Sequence, residues 1–318
     1  MHRQGFRRIV FVAAAAIAAA GVVSARAIGE LQEPAGTNAP VFRASADLVV
    51  LHVTVLDRRS DAVPDLPQDA FTVFEDGRPQ DIAFFAGGDV PVAAGLVIDN
   101  SSSMIGRRPM VVAGARAFAE AGHPEDELFT VIFNEHVRLG LPPAVTFTQS
   151  APMLLASLAA YPPGGRTALY DAVIDALAHL DTSSLQKRVL LVLSDGDDNA
   201  SRHTRQDMFD KVMASDAIVY TSVNRLDSGG PSDAGTLRRL AELSGGVAYS
   251  SDTEREVIQS FADIAGNIRR GYSIGYVPAE RSSRKFHDVK VVARSPGRGS
   301  LNTRVRRGYV TGDNGDGR

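Results

Sequence analysis

The sequence GLVIDNSSSM at residues 95–104 decides the fold of this chain. Its first four residues are apolar, as in a buried strand, and Asp99, Ser101 and Ser103 follow directly. In open α/β sheets, binding sites form outside the carboxyl ends of the strands. The stretch therefore predicts a buried strand that ends in a polar site and is followed by a helix.

Outward from this stretch, apolar runs alternate with helical periodicity over residues 91–268. Strands that are apolar throughout are expected where helices cover both faces of a parallel sheet. We therefore predict an α/β domain with a doubly wound, mostly parallel, Rossmann-like sheet. Its predicted strands are GLVID, LFTVIFN, VLLVLSDG, AIVYTSVN and GGVAYS, and its predicted helices cover 107–121, about 150–160, 168–180, 204–214, 233–243 and 253–269.

Both flanks of this domain have β character. Residues 42–88 contain ADLVVLHVTVL and FTVFEDGRPQDIAFF, and Asp76-Gly77 within the second run supplies the positive φ values of a tight hairpin turn. Residues 271–310 contain YSIGYVP, KFHDVKVVAR and NTRVRRGYV. Because each segment is too small to bury a sheet face alone, we predict a smaller β module in which the C-terminal strands complete the N-terminal ones.

The two ends of the chain are predicted to lie outside these domains. Residues 1–27 resemble a signal peptide, since basic residues precede an apolar run and the small-residue pattern Ala25-Arg26-Ala27. Cleavage after Ala27 would leave a linker at 28–41, and residues 311–318 are predicted to form a polar, disordered tail. The protein is therefore predicted to be exported, periplasmic or extracellular, with no membrane insertion after cleavage. Retention of the apolar run as an anchor is the alternative.

The composition narrows the classes of function. The chain has 318 residues, enough for about two domains. With 34 basic and 37 acidic residues and a formal net charge of −3, it is too balanced for a nucleic-acid binder. It has no cysteine, which excludes thiolate zinc sites, thiol nucleophiles and disulfides. Stability must therefore come from the core, and any charge-based function must be local.

Two further polar residues have the same kind of placement as Asp99. Thr167 opens a predicted helix after Gly164 and Gly165, and Asp195 ends the predicted strand VLLVLSDG. Hydroxyl and carboxylate oxygens suit Mg²⁺, Ca²⁺ or Mn²⁺ rather than zinc or copper. Each residue taken singly is more typical of a helix cap, Thr167 above all. Together with the two serines they predict an oxygen-coordinated divalent cation, Mg²⁺ before Ca²⁺ or Mn²⁺.

These five positions carry a family resemblance. Asp-x-Ser-x-Ser at 99–103, with Thr167 and then Asp195 at a distance, resembles the metal-ion-dependent adhesion site of von Willebrand factor type A domains. The resemblance covers about residues 91–268. The flanks are similar to those of a bacterial subfamily, which has Phe-x-Val-x-Glu-Asp-Gly-x-Pro-Gln before the domain, here at 71–80, and Tyr-x-x-Gly-Tyr after it.

The resemblance implies a binding role. It implies that Ser101, Ser103 and Thr167 contact the ion directly, while Asp99 and Asp195 hold it largely through water. An acidic residue of a protein or peptide partner would take a further coordination position. Two carboxylates only balance a divalent charge, so such an ion stays electrophilic toward an incoming carboxylate. Adhesion or another protein interaction is the expected activity.

An enzyme is not expected. The chain contains no Gly-x-Ser-x-Gly elbow, no phosphate-binding Gly-rich loop and no paired-histidine zinc helix. His123 and His179 are predicted to be solvated or packed rather than catalytic. The sequence therefore supplies no general base.

Two alternatives to a cation-dependent binding domain remain. One is a magnesium-dependent phosphohydrolase built on Asp99 and Asp195, in which Arg166 would clamp phosphate. The other is an envelope scaffold with no working metal site. The acidic loop at 197–199 is predicted to be solvated, with a secondary influence on the site.

Overall fold

The computed structural model describes residues 48–159, 161–223, 233–278, 286–297 and 299–310. The predicted signal peptide, linker and C-terminal tail lie outside the described residues. The strands are β1 Val49–Leu56, β2 Phe71–Glu75, β3 Arg78–Gln80, β4 Ile82–Gly87, β5 Ala93–Asp99, β6 Glu127–Phe133, β7 Val137–Leu139, β8 Arg188–Ser194, β9 Ile218–Val223, β10 Ala248–Ser250, β11 Tyr272–Tyr276, β12 Phe286–Ser295, β13 Gly299–Arg304 and β14 Gly308–Val310. The helices are α1 Arg108–Glu120, α2 Ala151–Leu158, α3 Leu169–Leu180, α4 Arg205–Ala214, α5 Ala234–Ser244 and α6 Glu254–Arg269.

A six-stranded sheet forms the centre of the α/β domain. Its order is β10-β9-β8-β5-β6-β7, and every neighbouring pair is parallel except the β6–β7 hairpin at one edge. Strand β5, which ends at Asp99, lies in the middle of the sheet with β6 on one side and β8 on the other. Asp99 is thereby placed at the centre of the sheet's carboxyl edge.

Helices cover both faces of this sheet because its strands are apolar on both sides. Val97 faces a cluster that contains the buried residues of α3, α4 and α5, whereas its neighbours Leu96 and Ile98 face a second cluster with α1, α2 and α6. This alternation follows from the two-residue period of a strand. The prediction of an α/β fold is confirmed. None of the described helices combines the length and apolar composition needed to cross a bilayer.

The flanking strands form a second, eight-stranded sheet in which every pair is antiparallel. Its order is β3-β2-β12-β13-β1-β11-β4, and β14 pairs with β12. Strands that precede the α/β domain are thus interleaved with strands that follow it. Val53, Val73, Tyr272 and Ile274, from both flanks, share one buried cluster. Neither flank could bury these residues by itself.

The Asp76-Gly77 turn forms as predicted, but the run that follows it is not the single hairpin strand that was predicted. Both residues have positive φ, 48° and 80°, and the turn joins β2 to β3 as expected. After β3 the chain does not continue beside β2. The next strand, β4, pairs with β11 at the other end of the strand order. Phe85 of β4 nevertheless packs against Phe71 of β2, with ring centroids 5.4 Å apart. The second predicted strand is therefore divided into β3, which pairs with β2, and β4, which pairs with β11. Burial of Phe85 against Phe71 accounts for this division.

A buried histidine should make the β sheet sensitive to acid. His52 in β1 is 6% exposed; its Nδ1 lies 3.0 Å from Ser273 Oγ, and no described residue bonds its Nε2. Burial, with a smaller contribution from the charge of Lys187, lowers the pKa of His52 to about 3. Between pH 6.5 and this value the unfolded chain takes up the proton first, so stability falls as the pH falls.

We expect His52 alone to remove ~2 kcal/mol of unfolding free energy between about pH 7 and about pH 5. Urea unfolding of the wild type and of His52→Gln at both pH values measures the difference. His136→Gln, at an exposed position, is the matched control and should keep the wild-type pH dependence. An unchanged pH dependence in His52→Gln would contradict the prediction.

Candidate functional site

Three loops meet at the carboxyl edge of the six-stranded sheet. Asp99 is the last residue of β5, and Asp195 directly follows β8, its parallel neighbour. The two strands run in register, with Ile98 opposite Leu193. Both acidic residues therefore leave the sheet side by side, and the negative charge of Asp195 acts on Asp99. The two residues lie side by side because β5 and β8 are parallel neighbours in the sheet.

The loop after β5 is organised by Asp99. The Ser101 backbone N–H donates to Asp99 Oδ1 at 2.9 Å, and the Ser194 hydroxyl donates to Oδ2 at 2.6 Å. The hydroxyl oxygens of Ser101 and Ser103 lie 3.1 Å apart. Asp99 and Ser101 are each 2% exposed, whereas Ser103 is exposed. The loop thus presents two adjacent hydroxyls, one of them open to solvent.

Thr167 is held between the loops that follow β5 and β8. On one side, the backbone of Gly165 exchanges hydrogen bonds with Ser102, and the Gly164 N–H donates to the Asn100 carbonyl. On the other side, Asn199 Oδ1 accepts from the Thr167 N–H at 2.9 Å, and the Asn199 N–H returns a bond to the Thr167 carbonyl. These contacts bring the loop of Thr167 to the loops of the two serines and Asp195.

The two glycines before Thr167 allow the backbone to turn tightly. Gly164 and Gly165 have φ values of 145° and 88°, in the region that side-chain-bearing residues avoid. A Cβ atom on Gly165 would also lie within 2 Å of the Glu135 carboxylate. Only glycine allows this close turn.

The helix-cap alternative does not describe Thr167. The first residue before α3 is Ala168, and no side chain of that cap position bonds the helix. Instead, Asp198 Oδ2 accepts from the Tyr170 N–H at 3.1 Å, and Ser201 Oγ accepts from the Asp171 N–H at 3.1 Å. Residues after β8 therefore cap the start of α3, and the Thr167 hydroxyl does not serve as the cap.

Burial disfavours the ionised form of the Asp99 carboxyl group. It raises the pKa of Asp99 to about 6, against the opposing hydrogen bonds from Ser101 and Ser194, and the charge of Asp195 adds a smaller rise. A nearby positive charge would favour the ionised form. A cation bound beside Asp99 would therefore lower this pKa.

The donors fit an oxygen-coordinated divalent cation. Adjacent ligands of an octahedral Mg²⁺ with bonds near 2.1 Å lie about 3.0 Å apart, and those of Ca²⁺ with bonds near 2.4 Å lie about 3.4 Å apart. The Ser101–Ser103 separation of 3.1 Å lies between these values. The hydroxyls of Ser101, Ser103 and Thr167 and the carboxylates of Asp99 and Asp195 could together hold such an ion.

Two supporting residues, Ser194 and Asn134, were not found from the sequence, whereas Asn199 lies in the loop that was predicted to influence the site. Ser194 bonds Asp99 directly and Asn199 bonds Thr167 directly, because the sheet brings the loops of these residues together. Asn134, at the end of β6, donates from Nδ2 to the Gly164 carbonyl at 3.0 Å. The strand-end positions of Ser194 and Asn134 were the one signal available, because their partners lie 95 and 30 residues away.

The remaining candidates of the sequence have structural surroundings. The His179 ring packs on Phe129 with centroids 4.4 Å apart, and its Nε2 lies 2.9 Å from the Thr146 carbonyl. His123 Nδ1 accepts from the Glu125 N–H at 3.1 Å. Both histidines are therefore packed or locally bonded.

Similarity to known proteins is found in the fold and not in the sequence. No protein-family model matches the sequence, and no curated protein matches it. Among solved structures, the chain is similar to a von Willebrand factor type A protein from Catenulispora acidiphila, at 12% identity and a TM-score of 0.50, over 84% of this chain and 74% of that one. The fold is von Willebrand factor type A-like.

The von Willebrand factor type A-like chain also resembles smaller structures. They include BatB from Bacteroides thetaiotaomicron (13% identity, TM-score 0.46, 56% of this chain and 98% of that one) and the vWF domain of the type V pili tip protein Mfa5 from Porphyromonas gingivalis (13%, 0.45, 57% and 95%). The match to the Catenulispora protein is longer than the α/β domain, so it includes part of the flanks.

Proposed function

We propose that the von Willebrand factor type A-like domain binds a protein or peptide through a divalent cation, Mg²⁺ before Ca²⁺ or Mn²⁺. Ser101, Ser103 and Thr167 would hold the ion directly, and Asp99 and Asp195 would act largely through water. An acidic residue of the partner would supply a further ligand. The chain would work as an exported binding protein, periplasmic or extracellular, and not as an enzyme.

One observation carries this proposal. The adjacent hydroxyls of Ser101 and Ser103, 3.1 Å apart, stand beside the buried carboxylate of Asp99, whose pKa is raised to about 6. Neutral hydroxyls add no charge to the site, so two carboxylates leave a divalent ion with no excess negative charge around it. An ion held in this way still attracts a carboxylate from outside.

Thermal unfolding tests the cation. A ligand that binds only the folded state raises the apparent stability by mass action. We expect the Tm of the purified protein to rise with Mg²⁺ or Mn²⁺ and to return to its starting value with chelator. A Tm that is the same with each ion and with chelator would support the metal-free scaffold instead.

Peptide selection tests the partner. Immobilised protein in millimolar Mg²⁺ should enrich peptides that contain Asp or Glu from a random library. The selected peptides should dissociate in chelator, and their Asp→Asn or Glu→Gln forms should bind at least 10-fold more weakly, the loss expected when a charged ligand is neutralised. Peptides that lack acidic residues and bind equally in chelator would exclude a cation-mediated contact.

Asn199 should determine the cation affinity without touching the ion. Asn199→Ala removes the acceptor of the Thr167 N–H, and loss of a residue that orients a ligand commonly weakens metal binding by 10–100-fold. We expect a weakening of about 10-fold in a Mg²⁺ titration followed by Tm. Asn199→Asp keeps an acceptor oxygen and should bind at least as well as the wild type. Equal affinity of Asn199→Ala and the wild type would contradict this role.

A further inference from the structure

The eight-stranded β sheet contains a second group of potential metal ligands, none of which belongs to the site at Asp99. Glu75 ends β2, Asp76 starts the following turn, and His287 lies near the start of β12. One oxygen of each carboxylate and one nitrogen of the imidazole lie within 4.8 Å of one another. The first two residues belong to the Phe-x-Val-x-Glu-Asp-Gly-x-Pro-Gln segment, which the proposed function does not use.

The two carboxylates converge on a single nitrogen atom. His287 Nδ1 lies 3.4 Å from Glu75 Oε1 and 3.2 Å from Asp76 Oδ2. This nitrogen carries at most one proton, which can point well at only one of the two oxygens. Glu75 is 6% exposed and His287 is 2% exposed. The arrangement therefore suits a positive charge that can contact all three atoms at once.

Neighbouring tyrosines hold the Glu75 carboxylate in this orientation. The hydroxyls of Tyr276 and Tyr309 both donate to Glu75 Oε2, at 2.5 Å and 3.0 Å, which leaves Oε1 toward His287. The Tyr309 ring also stacks on the imidazole, with centroids 5.0 Å apart. Tyr276 ends the Tyr-x-x-Gly-Tyr segment. Residues from both flanking segments thus form the surroundings of one site.

The spacing indicates the kind of ion. In a tetrahedral zinc site with bonds of 2.0–2.2 Å, any two ligand atoms lie about 3.3–3.6 Å apart. The separations of 3.4 Å and 3.2 Å from the imidazole nitrogen are close to this edge length. The imidazole ligand favours zinc over Mg²⁺ or Ca²⁺, which prefer oxygen ligands alone. From this geometry we infer that Glu75, Asp76 and His287 form a zinc site that joins the two flanks of the α/β domain.

A zinc ion here would act as a cross-link in a chain that has no cysteine. Asp76 is already bonded to β12 through the Asp288 N–H, at 3.0 Å to Oδ1. The ion would join the β2–β3 turn to β12, more than 200 residues apart in sequence, and would stabilise the folded sheet because its ligands come together only there. Three protein ligands leave a tetrahedral ion one position for water.

Zinc binding is measured in an Asp99→Ala background, which removes the first cation site from the result. We expect one equivalent of Zn²⁺ to bind by isothermal titration calorimetry and to raise the Tm. Co²⁺ in place of Zn²⁺ should show the intense visible absorption of a tetrahedral ion. Asp76→Asn keeps an oxygen for the Asp288 N–H and tolerates the positive φ of 48° at this position, so it should fold and should bind zinc at least 10-fold more weakly.

Asp288→Asn, an exposed change next to His287 on the same strand, is the matched control and should leave the zinc affinity unchanged. His287→Gln should remove both the bound equivalent and the Co²⁺ spectrum. The inference is overturned if the Asp99→Ala protein binds no zinc, or if Asp76→Asn and His287→Gln bind it as tightly as their parent. In either case the three residues form an ion-paired cluster only, and the site at Asp99 is unaffected by that result.

Discussion

Replacement of Asp99 by alanine is expected to remove the whole cation-dependent rise in Tm. At a cation concentration of about 1,000 times Kd, binding contributes ~4 kcal/mol to the apparent stability. For a domain of this size that contribution corresponds to a shift on the order of 10 °C. Without the carboxylate, Ser101 loses the acceptor that orients it, and the site loses half of its negative charge. Thermal unfolding with Mg²⁺, Mn²⁺ and chelator measures the effect.

Two further variants separate cation binding from folding. Asp99→Asn has the same shape and keeps an acceptor for the Ser101 N–H or the Ser194 hydroxyl, so it should fold well and still lose the cation response. Asp263→Asn removes an exposed carboxylate on α6 and should respond like the wild type. A full rise in Tm in either Asp99 variant would show that the ion binds elsewhere.

Gly95→Ala is expected to destabilise the α/β domain by about 1–3 kcal/mol, the usual cost of overpacking a core. A Cβ atom at this position of β5 would lie 2.4 Å from the Phe129 ring on β6 and 2.8 Å from Leu190 on β8. Neither neighbour can move far, because both are fully buried. Since β5 carries Asp99, we also expect weaker cation binding. Urea unfolding and a Mg²⁺ titration measure the two effects.

Gly106→Ala is the matched substitution for Gly95→Ala. A Cβ atom at Gly106 has no heavy atom within 4 Å among the described residues. Alanine there only reduces the freedom of the unfolded chain, so the stability should stay equal or rise by up to ~1 kcal/mol. If both glycine variants lost the same stability, the close contacts around β5 would not be the reason for the loss.

The elements of the α/β domain could be predicted from the sequence because their apolar periods are strong. The helix predicted over 107–121 spans Arg108–Glu120, and the one over 253–269 spans Glu254–Arg269. Local capping contributes to this agreement, since Thr253 forms a capping box with Glu256 at the start of α6. Such signals lie within a few residues of one another, so they can be detected without knowledge of the fold.

The arrangement of the flanks depends on contacts far apart in sequence. The Asp76-Gly77 pair determined a turn, but not that β4 would leave β2 and pair with β11. That choice buries Phe71 and Phe85 against Tyr272, which lies nearly 200 residues later. No periodicity within one segment contains this information.

The apolar periods alone predicted the five parallel strands and the six helices of the α/β domain, with Asp99 and Asp195 at strand ends and Thr167 at the start of a helix. The tertiary structure alone decided which groups support them: Ser194 beside Asp99, Asn199 beside Thr167, and the capping of α3 by residues after β8. The physical reason is that apolar period and turn chemistry act locally, whereas hydrogen bonds at a sheet edge depend on strand order. Strand order is set by the burial of side chains from the whole chain.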